Sequence, residues 1–463
     1  MATGEVARWL QVVVVLTTAA TGTGAQSVDS VVLGAHVRVL ASDSMEGRAN
    51  GTRGQRAAAD YIIAQFKRLG LAPAFANGQF TQDIPLKRVV MARDSARLIL
   101  ETPSGRQTVV GTDFHHFAGD STAYRAFAGP IEHIGPLGSP ATVRGKVVIA
   151  VPSPTVRLDS GSALMESQGA LALIVIAPDS ARYVDLRNAR GPNRYTVDAR
   201  IGGAADRRMP VLIASPRAGA VLEKAMALRG EWGVRFEPVT AWNVAARLEG
   251  TRSPSRAVIF SAHYDHIGYS RPVNGDSLYN GFMDNAVGVA AVLGIAESMR
   301  QRASRPSAVF LLTAVEEEGS YGAAYFAEHA PLPLDSITAV INLDAGAPLA
   351  PPTSWYVEGG SHPLIASAMQ ELAQRGVKTE AAPLNPYSDH WPFHLRGVPA
   401  AFPVPGDDWI GLSEEEERAA IAKWWRQHRP QDAWAPDFPL AGLKAYAEFG
   451  MLLGLAISEA ARR

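Results

Sequence analysis

The chain has 463 residues, with 44 Lys and Arg against 45 Asp and Glu and a formal net charge of -1. That balance leaves no electrostatic footprint for nucleic acid. The absence of cysteine excludes disulfides, thiolate metal sites and a cysteine-linked acyl anchor, and the length is ample for more than one domain.

Arg8, an apolar stretch from Trp9 to Ala20 and the small residues Thr23, Gly24 and Ala25 read as a secretory signal over residues 1–25. The stretch is too short for a spanning helix, although an uncleaved anchor is the alternative. Export without disulfides fits a bacterial periplasm or the medium, with no stable membrane partner unless the leader stays uncleaved. From Val31 to Leu71 the pattern is helical. Ala57, Ala58, Tyr61, Ile62, Gln65, Phe66 and Leu69 form a stripe that Gly70 closes. Alternating runs on either side of Pro103, Ser104 and Gly105 predict a hairpin between Arg97 and Val110. Residues 26–120 are assigned to the first part of the main domain.

Between residues 121 and 236 the chain changes to short β segments broken by Gly and Pro, such as Val143–Ala150, Gly169–Ile176 and Met209–Ala214, and this predicts a small separate insert. Residues 237–463 resume the main domain. Four apolar runs follow: Ala257–Ala262, Ala308–Val315, Ile337–Leu343 and Val398–Val404. Short β-branched runs alternating with helical patterns predict parallel strands buried on both faces. The fold class is therefore α/β, a mixed and largely parallel sheet sandwiched by helices.

Polar residues cluster at the ends of these runs: His263, Asp284, Glu317, Asp344 and His390. Open parallel sheets bind ligands beyond their carboxyl ends, so these residues are expected to converge. Zinc takes four ligands from Cys, His and carboxylate, and a catalytic site keeps one position for water. If Asp284 bridges two ions, one takes Asp284, Glu317 and His390. The other takes Asp284, His263 and Asp344, and a shared water or hydroxide completes both sets. Three carboxylates and a hydroxide offset the four positive charges, which eases burial.

Five motifs, Ser261–His266, Asn280–Gly288, Glu316–Gly319, Ile341–Asp344 and Ser388–His390, together resemble those of the dizinc aminopeptidase family, with aminopeptidase Y and bacterial leucyl aminopeptidases as members and glutamate carboxypeptidase II as a relative. The resemblance runs from about His36 to the C-terminus, and residues 121–236 look like the family's protease-associated insert. It implies two Zn2+ ions held by those five ligands, Glu316 as general base, a cis peptide between Asp284 and Asn285, and peptide substrates cleaved at the N-terminal bond. Adjacent residues in an extended segment point to opposite sides. Glu317 on the metal therefore leaves Glu316 free to move a proton. Asp265, two residues after His263, suits a carboxylate that fixes the imidazole. Tyr387 is a candidate oxyanion donor, and His428, in a segment through Asp432 that resembles a late family motif, lies near the substrate mouth. The alternatives are a dipeptidase or carboxypeptidase, whose Arg or Lys clamp the sequence does not locate, and a non-catalytic receptor-like module, which would need lost ligands. A single-zinc cyclase relative is disfavoured by the full ligand set.

Overall fold

The computed structural model describes residues 27–75, 78–118, 124–183, 194–196, 209–251, 255–344 and 346–463. The expected secretory signal lies outside them. Four parallel strands form the centre of the sheet, in the spatial order Ala400–Pro405, Ile337–Asn342, Ala257–His263 and Ser307–Thr313. They coincide closely with the four apolar runs. Three of them are buried at every residue, as strands covered on both faces must be. Antiparallel strands flank this centre: Trp355–Glu358 beside Ala400–Pro405, and Ala227–Leu248 beside Ser307–Thr313.

The helices Ser30–Leu40, Val287–Gln301 and Leu440–Ala460 pack together against the sheet. Gly294 of the second helix lets it close on the first, because a Cβ there would stand 2.7 Å from Leu33 Cδ2. Phe260 and Phe310, opposite each other on neighbouring strands, stack at 6.0 Å between centroids.

The hairpin is present, with Thr102 opposite Gly105 and Arg97 opposite Val110. Around the expected insert, the strands Val147–Val151, Ala172–Ile176 and Val211–Ala214 run parallel with separate apolar clusters on their two faces. Residue 236, expected as its edge, falls inside the strand Ala227–Leu248. That strand pairs with Thr81–Thr102 from Ala227 opposite Glu101 to Val244 opposite Thr81. A long two-stranded ladder thus links these strands to the central sheet.

Candidate metal and catalytic site

The carboxyl ends of the parallel strands gather the site. His263 is the last residue of its strand, Asp344 comes two residues after Asn342, and Glu316 and Glu317 come three and four residues after Thr313. Asp284 sits just ahead of the helix Val287–Gln301. The peptide between Asp284 and Asn285 is cis. Asn285 ties this corner to the neighbouring strand end: its Nδ2 donates to Leu343 O at 3.0 Å and its Oδ1 accepts from Gly288 N at 3.0 Å. Position 288 must be glycine for this approach, because a Cβ there would lie 2.2 Å from Leu343 O.

The two oxygens of Asp284 face two different groups. Oδ1 lies 3.1 Å from His263 Nε2, which is also 3.0 Å from Asp344 Oδ1. Oδ2 lies 3.2 Å from His428 Nε2, which is also 2.9 Å from Glu317 Oε2. A carboxylate with one oxygen on each of two imidazole–carboxylate pairs is the arrangement expected of a bridging ligand. His263, Asp284 and Glu317 offer donor atoms all within 4.8 Å of one another.

His428, rather than His390, therefore stands with Asp284 and Glu317, and this corrects the expected fifth ligand. His390 starts a short helix, is fully buried, and directs Nε2 to Asn385 O at 2.7 Å, with its ring against Phe402. That nitrogen is already committed. His428 arrives because Asp432 docks its segment: Oδ1 of Asp432 accepts from Met283 N at 2.8 Å and Oδ2 from Asp284 N at 3.1 Å. His428 is 46% exposed and forms the solvent side of the site, where its Nε2 is close to both Asp284 and Glu317. The signal in the sequence was the run from His428 to Asp432, four residues apart like an anchored turn.

One further role differs from expectation. His263 Nδ1 is 3.2 Å from the backbone carbonyl of Asp265 and 3.8 Å from its carboxylate, so the carboxylate does not hold the imidazole. It accepts instead from Asn50 Nδ2 at 2.9 Å and Glu316 N at 3.2 Å. Tyr387 lies at the rim, 61% exposed, with the Arg157 guanidinium 5.0 Å over its ring. Sequence reasoning missed Ser388, Arg48 and His266. Ser261 Oγ donates to Asn342 Oδ1, Asn342 Nδ2 to Ser388 Oγ, and Ser388 Oγ to Asp344 Oδ2 at 2.6 Å, leaving the other Asp344 oxygen for His263. Arg48 is fully buried and donates to the carbonyls of Leu40, Tyr264, Asn280 and Gly281, so one guanidinium ties the His263 and Asp284 loops together. His266 Nδ1 contacts Glu317 Oε1 at 2.5 Å and helps fix that carboxylate.

The site is rich in buried carboxylates. Burial pushes the Glu316 carboxyl well above its usual range, opposed by His263 and reinforced by Asp344. Burial would lift Glu317 too, but His428 and His266 outweigh it and hold it at about 2. Burial would depress His263, yet Asp344 and Glu316 raise it well above its ordinary value. His428 is raised chiefly by Glu317. Among the described residues the donor set is therefore two imidazoles and three carboxylates, sufficient for two divalent ions around one bridge.

These shifts predict how metal removal responds to pH. In metal-free protein the raised imidazoles add stability below their ordinary value of 6.5 and lose that contribution as pH rises through the raised values. Glu316, also raised, acts in the same direction, whereas Glu317 is depressed and contributes a constant amount above 4.5. Zinc competes with the same protons and binds more tightly as pH rises. The difference in Tm between zinc-loaded and chelator-stripped protein should widen as pH rises above 6.5. A difference that narrows would show that these imidazoles are not where zinc binds.

Residues 243–448 match the profile of peptidase family M28. A probable zinc metalloprotease of Pyricularia oryzae is 35% identical over 109 residues, 23% of this chain and 21% of that protein. Another, from Pyrenophora tritici-repentis, is 30% identical over 147 residues, 30% of each chain. The alignments thus span less than a third of those curated relatives. Among solved structures, the aminopeptidase from Aneurinibacillus sp. strain AM-1 superposes with a TM-score of 0.55 at 16% identity, covering 94% of this chain and 95% of that one. The zinc aminopeptidase BSAP from Bacillus subtilis does so with a TM-score of 0.56 at 17% identity over the same shares. These two share the fold. His263, Asp284, Glu316, Glu317, Asp344 and His428 all lie within residues 243–448, the segment that matches peptidase family M28.

Proposed function

We propose that the chain is an exported zinc metallopeptidase of the M28 type that removes N-terminal residues from peptides. The observation that carries this reading is the pair of Asp284 oxygens, each facing its own imidazole and carboxylate. His263, Asp344 and Asp284 would hold one ion; His428, Glu317 and Asp284 would hold the second. When bound, such ions lower the pKa of water and polarise a carbonyl. Glu316 lies 4.0 Å from His263 Nε2, beside the ligand set and outside it. It would take the proton of the attacking water and pass it to the leaving amine, a duty suited to a carboxyl that burial raises well above its usual range. Residues 121–236 are read as a protease-associated insert, and the reach of Arg157 to Tyr387 supports a place for Arg157 beside the site.

A second reading, a dipeptidase or carboxypeptidase, is favoured by that same Arg157, a cation at the rim able to pair with a substrate carboxylate. Peptides of one sequence, with the N-terminus acetylated or the C-terminus amidated, separate the two. Acetylation should stop turnover and amidation should leave it. If amidated peptides resist while acetylated ones are cleaved, the second reading replaces the first.

A further inference from the structure

Glu316 follows Val315, whose φ of 59° places a β-branched residue in the left-handed region. Such a conformation persists only when its surroundings hold it. At this point the chain has left the sheet, and three consecutive amides end on side chains instead of strand partners. Ala314 N donates to Asn243 Oδ1 at 3.0 Å, Val315 N to Asn50 Oδ1 at 3.1 Å and Glu316 N to Asp265 Oδ1 at 3.2 Å. Asn50 is the centre of this arrangement. Its Nδ2 donates to Asp265 Oδ2 at 2.9 Å, and its Oδ1 also accepts from Gln55 Nε2 at 2.8 Å. Asn50 is 3% exposed, and Asp265 and Gln55 are fully buried. The amide can be oriented only one way, because a flip would set NH2 against two donors and an oxygen against a carboxylate.

We propose that Asn50, contributed by the N-terminal segment outside the M28-matching residues 243–448, is a positioning residue for Glu316. It fixes the backbone that aims the Glu316 carboxyl and, through Asp265, fixes the adjacent amide. The inference rests on the reading of Glu316 as the general base. Asn50 touches none of the candidate ligands in the hydrogen bonds above, so its loss should act on the proton-transfer geometry and not on metal content.

The test is a double-mutant cycle on the full chain, read with an aminoacyl p-nitroanilide and with zinc analysis. Asn50→Ala should lower kcat by roughly 10- to 100-fold, the cost of misplacing a reacting group by about an ångström, with KM within about twofold and zinc content unchanged. In a Glu316→Gln background, Asn50→Ala should change kcat by less than about twofold, because the group it aims is gone. A merely structural asparagine would impose the same factor in both backgrounds, and that result overturns the proposal. Gln55→Ala leaves both Asn50 contacts in place but removes their support. It should give a smaller loss in kcat that likewise vanishes with Glu316→Gln, so the proposal remains testable if Asn50→Ala does not fold. Full turnover in Gln55→Ala together with additive loss in a folded Asn50→Asp would also overturn it. Wild-type kcat in Glu316→Gln alone would instead sink the general-base reading.

Discussion

Replacing Glu316 by Gln is expected to lower kcat by roughly 100- to 10,000-fold, the range of general acid–base catalysis, while the metal content stays at two zinc ions per chain. The substitution keeps the shape of the side chain and leaves His263, Asp284, Glu317, Asp344 and His428 untouched. Glu317→Gln should behave differently. Its two oxygens face His266 and His428, and it lies beside Asp284, so the change removes an anion from the donor set. Metal should be lost, and excess zinc should restore part of the activity. Measuring zinc stoichiometry and turnover on both variants, with and without added zinc, separates these outcomes. If Glu316→Gln sheds zinc while Glu317→Gln keeps both ions and only slows, the two roles are exchanged.

The sequence carried the central sheet because strands covered on both faces are written as uninterrupted apolar runs, and the residues at their ends have nowhere to go but the common crevice. Three of the five expected ligands, His263, Glu317 and Asp344, follow those ends, and Asp284 joins them from just ahead of the helix Val287–Gln301. His390 failed for a local reason. Proximity to a motif says that a residue is near the site, but not which way its ring turns, and here Asn385 O captures Nε2. Asn50 and Arg48 were illegible because their distant partners lie 215 and 265 residues away for Asn50 and 216 to 233 for Arg48, and no periodicity links a hydrogen bond of that span. Residue 236, the expected edge of the insert, lies within a continuous strand, and an alternating pattern cannot distinguish a strand that ends from one that runs on.

The exchange of one histidine for another carries the other large effect. His428→Ala should remove one of two zinc ions and most of the turnover, because His428 Nε2 is the imidazole nitrogen that stands between Asp284 and Glu317. Being 46% exposed, His428 can be removed without opening a cavity, so in the presence of a chelator its loss should cost only its ion pairs with Glu317 and Asp284, a contribution that fades as pH rises through its raised value. His390→Ala should do the reverse. The ring is fully buried against Phe402, and its loss costs about 1 to 3 kcal/mol of stability through the broken bond to Asn385 O and the emptied space, yet both ions should remain. Elemental analysis with thermal melts on the two variants decides the matter. Asp432→Asn adds a third arm: an amide cannot accept from both Met283 N and Asp284 N as the carboxylate does, so it should weaken the second ion less than His428→Ala and by displacing both the His428 turn and the bridging ligand. Two zinc ions in His428→Ala and one in His390→Ala would return the fifth ligand to position 390.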